Sequence, residues 1–147
     1  MSESTAQVSI AIRAPERKVW AALTDPDLIR QYFMGSDVST DWNVGSPIIF
    51  RGDYNGKRYE DKGKILAFRP NKELKFSHWS PMSGTDDVPK NYNVVDITLD
   101  KANGSTEVTL TQSKLDGDIT DEDRAHRDDY IKNWTSVLNG LKKVVES

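Results

Sequence analysis

Residues 120–146 read TDEDRAHRDDYIKNWTSVLNGLKKVVE. Their apolar side chains recur at steps of three and four residues, which places them on one face of a helix. Thr120 and Asp123 form a weak capping box at the start of the stretch. The pattern predicts one amphipathic helix from Thr120 to Glu146, about 40 Å long at ~1.5 Å per residue. Its apolar face comprises Tyr130, Trp134, Val137, Leu138, Leu141, Val144 and Val145.

The chain before this helix predicts mainly strands, with two short helices near its start. Residues 7–13 alternate between apolar and polar side chains, as a half-buried strand does. Pro15–Leu23 and Pro26–Phe33 predict helices, because each begins at a proline whose fixed φ suits the first turn. Alternation and turn signals predict six further strands, at Val38–Thr40, Ser46–Arg51, Lys57–Phe68, Glu73–Trp79, Tyr92–Asp100 and Ser105–Ser113.

Two Asn-Gly pairs, Asn55-Gly56 and Asn103-Gly104, predict hairpins between these strands. The long strand is expected to twist or bulge near Gly63. Hairpins imply an antiparallel sheet, and helices gathered at the ends of the chain imply the α+β class. The final helix has the length and the apolar stripe to cover one face of that sheet. We therefore expect a single domain over residues 1–147, in which a curved antiparallel sheet surrounds the C-terminal helix.

Composition excludes several classes of function. The net charge is −3 and charges of both signs are interspersed, which argues against a nucleic-acid binder because phosphate contacts need clustered Lys and Arg. The chain has no cysteine, so disulfides, thiolate catalysis and Cys-based zinc sites are excluded. The N-terminus has no signal pattern, and no apolar run approaches the ~20 residues that span a membrane. These features fit a cytoplasmic protein.

Metal and cofactor motifs are also missing from the sequence. The two histidines, His78 and His126, are far apart. The acidic stretches before and within the final helix lack the alternating oxygen ligands of a calcium loop. No Gly-rich phosphate loop, nucleophile elbow or nucleotide fingerprint is present. We therefore predict neither a metal site nor a cofactor.

Strand alternation suggests where polar groups could meet a ligand. His78 shares a face with Leu74 and Phe76, and Gln112 shares a face with Leu110. If the apolar sides point inward, both polar side chains also point into the hollow, where a few such groups would orient a ligand. The alternative is that His78 lies at a strand end and meets solvent or a backbone carbonyl.

Aromatic side chains are numerous enough to line a pocket, although for any one of them packing in an ordinary core is the more common role. Gly140, inside the helix pattern, either packs closely against a bulky strand residue or leaves room in a cavity. The candidate cavity residues are Phe33, Trp42, Phe50, Tyr59, Phe76, His78, Gln112, Tyr130, Trp134 and Leu138.

Several stretches together resemble the START-like (SRPBCC) domains, and most closely the branch named after the activator of Hsp90 ATPase (AHSA1-like). Each stretch is weak alone, but their order and spacing span nearly the whole chain. They are residues 14–26 (APERKVWAALTDP), Val44-Gly45, residues 63–66 (GKIL), residues 70–74 (PNKEL) and residues 134–142 (WTSVLNGLK).

This resemblance implies a helix-grip fold with a cavity between the sheet and the long helix. It does not imply one activity, since the superfamily includes lipid and hormone binders, polyketide cyclases and co-chaperones. Two departures lie near the expected cavity. Tyr32-Phe33 stands where the family commonly has Trp, and Asn133 stands where it commonly has Gly.

Three functions follow as hypotheses. The first is binding of a small hydrophobic or amphipathic ligand, with no catalysis. The second is a cofactor-free enzyme of the cyclase or hydrolase type, in which His78 or Tyr59 acts as general acid or base. The sequence identifies no partner that would orient His78. The third is an interaction module with a protein partner, such as an Hsp90-type chaperone.

Overall fold

The computed structural model describes residues 5–33, 35–54, 56–116 and 118–147. Its strands are β1 (Ala6–Ile12), β2 (Asp37–Ser39), β3 (Pro47–Tyr54), β4 (Lys57–Arg69), β5 (Glu73–His78), β6 (Asn93–Ala102) and β7 (Ser105–Lys114). Its α-helices are α1 (Glu16–Thr24), α2 (Pro26–Tyr32), α3 (Asp121–Ala125) and α4 (Arg127–Glu146). Short 3-10 turns occupy Pro81–Ser83 and Pro89–Asn91.

The strands form one curved antiparallel sheet in the order β1-β7-β6-β5-β4-β3-β2. Every strand except β1 therefore pairs with its neighbour in the chain, while β1 pairs with β7. The concave face of this sheet holds α4, and α1 and α2 pack against that helix. The predicted α+β class and helix-grip architecture are confirmed.

Turn chemistry explains the β6–β7 hairpin. Asn103 and Gly104 have φ angles of 44° and 84°, and a two-residue hairpin turn of this kind requires positive φ at both positions. The predicted hairpin is therefore present with the predicted residues. Asn55, in the other predicted turn, lies outside the described residues.

The expected irregularity in β4 lies further along the strand than predicted. The pairing register with β5 shifts between Ile65 and Ala67. Gly63 instead marks a close approach, because a Cβ atom there would lie 1.7 Å from the backbone oxygen of Ser77. The glycine is needed for the two strands to come together at this point.

The prediction of one continuous helix from Thr120 to Glu146 is wrong. The chain breaks at His126, with φ −100° and ψ 7°, into the short α3 and the 20-residue α4. Thr120 caps α3 as predicted: the backbone N–H of Asp123 donates to Thr120 Oγ1 at 3.0 Å, and that of Thr120 donates to Asp123 Oδ2 at 2.9 Å. Acidic residues also begin α4, where the helix macrodipole favours negative charge, so α4 has its own start signal.

Helix α4 is about 30 Å long at ~1.5 Å per residue. Its buried residues are Trp134, Val137, Leu138, Leu141 and Val145. Two hydrogen bonds attach its C-terminal end to β1 and to Arg13, the residue that follows β1. Lys142 Nζ donates to the carbonyl of Ala11 at 2.7 Å, and the backbone N–H of Arg13 donates to the Glu146 carboxylate at 2.8 Å. These contacts hold the helix along the edge strand.

Gly140 serves close packing between helices. A Cβ atom at this position would lie 2.9 Å from Cβ of Tyr32. The close-packing interpretation is therefore right, but the bulky neighbour comes from α2 and not from a strand. Asn133, expected near the cavity, is exposed on the outer side of α4.

Candidate functional site

A small cavity of about 30 Å³ lies between the sheet, α2 and α4. A single water needs roughly 10–15 Å³ by this measure, so side chains nearly fill the space. The wall is apolar, because the only hydroxyl among the described lining residues, that of Tyr32, donates to the carbonyl of Ala22 at 2.8 Å. Burial raises the pKa of this phenol well above its ordinary value. The lining residues are Leu23, Ile29, Tyr32, Phe33, Val38, Trp42, Ile48, Phe50, Leu74, Phe76, Ile97, Leu110, Val137, Leu138 and Leu141.

Aromatic rings form one side of this cavity and continue beyond it. Phe33, at the end of α2, stacks on Phe50 of β3 with 5.5 Å between ring centroids. Phe50 in turn lies 5.6 Å from Phe76 of β5. Trp134 of α4 lies 5.9 Å from Phe33. This aromatic cluster connects α2 and α4 to strands β3 and β5 of the sheet.

Trp42 closes the cavity from the loop before β3. Its φ is +64°, a left-handed conformation that is a rare outlier for a bulky residue. The backbone N–H donates to Thr40 Oγ1 at 3.3 Å, and the ring lies 5.9 Å from that of Phe68. The residues on either side of Trp42 are exposed, so only its side chain belongs to the packed interior.

Gln112 and Trp134 form a buried hydrogen bond. Trp134 Nε1 donates to Gln112 Oε1 at 2.7 Å. Both side chains are buried, with exposed fractions of 5% and 8%. The Gln112 amide oxygen is thus already engaged by the protein, which satisfies the indole N–H and fixes the ring beside Phe33.

His78 has a partner that the sequence did not identify. Its Nε2 lies 3.1 Å from Oδ2 of Asp61, on the neighbouring strand β4. The imidazole also meets the ring of Phe50 edge-on, with 5.6 Å between centroids. The two polar side chains are largely buried, with exposed fractions of 25% for His78 and 14% for Asp61. The strands β4 and β5 thus bring a carboxylate and an imidazole together at the edge of the aromatic cluster.

Two of the candidate residues, both tyrosines, lie apart from the cavity. The hydroxyl of Tyr59 is 2.6 Å from Ser36 Oγ. The side chain covers Gly52, where a Cβ atom would lie 2.6 Å from the Tyr59 hydroxyl and 2.7 Å from its ring. Tyr130 borders a separate polar hollow with Lys114 and Asp123. Burial first, and then the neighbouring acids, raise the pKa of Tyr130.

Five of the ten candidates line the cavity: Phe33, Trp42, Phe50, Phe76 and Leu138. Trp134, Gln112 and His78 border the same aromatic cluster, while Tyr59 and Tyr130 do not line the cavity. Aromatic content alone missed the aliphatic majority of the wall and also missed Asp61. Counting register back from the Asn55-Gly56 turn could have found Asp61, because it places this residue opposite Phe50.

Among the described residues, no group of three or more acidic or histidine side chains is placed to hold a metal ion. None of the helices in the described ranges is long and apolar enough to cross a membrane.

Comparisons with known proteins place this chain in a family. The family described as "Activator of Hsp90 ATPase homolog 1-like protein" matches residues 13–146. The solution structure of ChR145 from Cytophaga hutchinsonii has 45% sequence identity and a TM-score of 0.76, with 96% of this chain and 92% of that chain covered. No curated protein sequence matches.

More distant structures share the fold. The solution structure of the Aha1 dimer from Colwellia psychrerythraea has 23% identity and a TM-score of 0.68, covering 96% of this chain and 95% of that one. DynU16, a protein of the dynemicin biosynthetic locus, has 20% identity and a TM-score of 0.75, covering 97% of this chain and 47% of that one. Because the family match spans residues 13–146, this chain belongs to the activator of Hsp90 ATPase homolog 1-like family.

Proposed function

We propose that this protein binds a small hydrophobic or amphipathic molecule between the sheet and helix α4. The observation that carries the proposal is the apolar cavity at that place, bounded by Phe33, Phe50 and Leu138 among others. Small-molecule sites are typically enclosed, mostly apolar and supplied with a few polar groups that orient the ligand. His78 and Asp61, beside Phe50, supply such groups.

The cavity has to open for a ligand to enter. Its volume of about 30 Å³ is far below the ~300 Å³ at which typical ligand sites begin. Trp42 is the wall residue that we expect to move, because it lies in a loop, is only half-buried, and has exposed chain neighbours, Asp41 and Asn43. Ligand binding then selects an open state in which Trp42 has left the wall.

A docking role for a chaperone partner, which the family description suggests, has less support. A docking face can be apolar or charged, and an apolar one is a contiguous patch of several hundred Å². Among the side chains that the structure describes, Val44 and Leu115 are the two large hydrophobic residues that are exposed. Two such side chains do not make a patch of that size.

The test is native mass spectrometry of the freshly purified protein, followed by thermal-shift screening with fatty acids, sterols, flavonoids and other aromatic compounds. We expect a co-purified small molecule or a rise in Tm that increases with ligand concentration, since a ligand that binds only the folded state stabilises it. A clean ligand-free mass with no Tm shift over the whole panel would contradict the proposal. Stimulation of Hsp90 ATPase activity in that case would favour the protein-partner role.

A matched pair of variants locates the site. Val137→Phe fills the cavity from α4 and should abolish the Tm shift, because Val137 lines the wall. Val144→Phe adds the same ring to the same helix at a half-buried position that does not line the cavity. It should leave the shift intact. Equal shifts in both variants would move the ligand away from this cavity.

A further inference from the structure

Within the described structure, only one of the two carboxylate oxygens of Asp61 has a hydrogen-bond partner. Asp61 lies on β4 directly opposite Phe50 of β3. Its Oδ2 lies 3.1 Å from His78 Nε2, whereas its Oδ1 is buried and has no hydrogen-bond partner among the residues that the structure describes. The protein therefore presents one free acceptor atom beside the aromatic cluster.

A buried acceptor without a donor is costly, and more so when it carries charge. Buried polar atoms in folded proteins are nearly always paired, and an exception calls for an explanation. Asp96 has a similar unpaired oxygen. However, Asp96 alternates along β6 with the core residues Val95 and Ile97, so its side chain lies on the opposite face of the sheet. Asp61 is the carboxylate that shares a face with Phe50 and His78.

We propose that Asp61 Oδ1 accepts a hydrogen bond from a hydroxyl or amine group of the bound small molecule, while His78 holds the carboxylate in position. This inference rests on the proposed function and specifies the ligand class. Phe50 lines the cavity, touches His78 and lies opposite Asp61 on the neighbouring strand, so this one aromatic ring links the apolar space to the His78–Asp61 pair. The ligand is an amphipathic molecule with an apolar body and a hydrogen-bond donor at one end.

Selectivity between a donor and its methyl ether tests this assignment. The probes are 2-naphthol against 2-methoxynaphthalene, and 1-decanol against decyl methyl ether, titrated calorimetrically into the wild-type protein. Each ether keeps the apolar body but cannot donate. We expect the alcohol to bind about tenfold more tightly in at least one pair, as a hydrogen bond to a charged acceptor predicts. A third probe, 2-naphthylmethylamine, carries an ammonium group in place of the hydroxyl of 2-naphthol. Whichever of these two compounds binds more tightly identifies the donor group that the site prefers.

The variant Asp61→Asn should reduce the preference to within about twofold. The amide oxygen of the asparagine would face His78, so its N–H group would face the ligand. An ether oxygen accepts a hydrogen bond from this N–H group as well as an alcohol oxygen does, so the variant no longer favours the alcohol. Asp96→Asn is the matched control, because it changes a similar carboxylate on the other face. It should leave the preference unchanged.

A measurement on the wild-type protein keeps the test independent of whether Asp61→Asn folds. The ¹³C resonance of the Asp61 carboxyl carbon should shift on addition of 2-naphthol and stay in place with the methyl ether. Equal affinity for alcohols and ethers, with a stationary resonance, would overturn the assignment of Asp61 while leaving ligand binding intact. Failure of every probe to bind would overturn both this inference and the proposed function.

Discussion

At Gly63, one absent side chain decides how two strands meet. A Cβ atom here would lie 1.7 Å from the backbone oxygen of Ser77, and a backbone atom cannot move aside as a flexible side chain can. We expect Gly63→Ala to reduce the free energy of unfolding by about 3 kcal/mol, at the upper end of ordinary overpacking costs. Chemical denaturation measures this loss directly.

Gly140→Ala provides the comparison for that measurement. The added methyl group would meet Cβ of Tyr32 at 2.9 Å, but alanine also recovers ~1 kcal/mol of helix propensity. The two effects oppose each other, so we expect a net change below about 1 kcal/mol. If Gly63→Ala were as mild as Gly140→Ala, the close approach of β4 to Ser77 would be wrong.

Asp96 makes stability depend on pH. Burial, followed by the neighbouring Glu73 carboxyl, raises the pKa of Asp96 to about 6, against about 3.9 in an unfolded chain. Ionisation of Asp96 therefore lowers the free energy of unfolding. This cost is absent below about pH 4, grows as the pH rises from about 4 to about 6, and is complete above about pH 6.

Asp96→Asn should accordingly stabilise the protein at pH 8 by about 1.5 kcal/mol, after allowance for solvent screening. At pH 4 it should have little effect. Thermal unfolding at the two pH values measures the difference. Asp100→Asn, at an exposed position on the same strand, is the control and should show no such pH-dependent gain. A gain from Asp96→Asn that was equal at both pH values would refute the explanation.

Helix α4 depends on Trp134 for its attachment to the sheet. The side chain is buried, and its indole N–H donates to Gln112 at 2.7 Å. Trp134→Ala should destabilise the protein by ~3–5 kcal/mol, the range for removing a large core aromatic. Trp134→Phe keeps most of the ring but removes the donor, so we expect a loss of only about 1–3 kcal/mol. A loss below about 1 kcal/mol for the alanine variant in urea denaturation would contradict this placement of the helix.

Local pattern was enough to predict most elements. Alternation and Asn-Gly turns predicted the strands, and the apolar stripe through Trp134 and Leu141 predicted the face that α4 buries. The break at His126 was missed because the apolar stripe begins only at Tyr130 and so does not show where the helix starts. The capping signal at Thr120 predicts the start of one whole helix, whereas α3 and α4 start separately. The pair of His78 and Asp61 was missed because it joins β4 and β5, whose pairing register shifts between Ile65 and Ala67, so a count from the turn between these strands does not bring the two residues together.

The size of the cavity is a property of the whole molecule. It depends on rotamers and sheet curvature, which no local pattern encodes, and the aliphatic part of its wall comes from nearly every element. Leu138→Ala should destabilise the protein by about 2–5 kcal/mol and enlarge this cavity. Indole should then raise the Tm of the variant more than that of the wild type, because an enlarged apolar cavity can take up a small aromatic molecule.

Leu99→Ala is the control for cavity enlargement. Leu99 is fully buried in β6 but does not line the cavity. Its truncation should destabilise to a similar degree without creating a response to indole. Rescue of both variants to the same extent would show that the response to indole does not depend on this cavity.

The pairing of β1 with β7 has a consequence for synthesis of the protein. Ser9 meets Thr109 across the two strands, 100 residues further along the chain. At about 5–20 residues per second, the ribosome takes roughly 5–20 s to supply that partner, and α4 follows later still. During this interval the inward face of β1, which carries Ile10 and Ile12, has neither its neighbouring strand nor its covering helix. The nascent chain therefore completes the interior of this domain only when α4 has emerged.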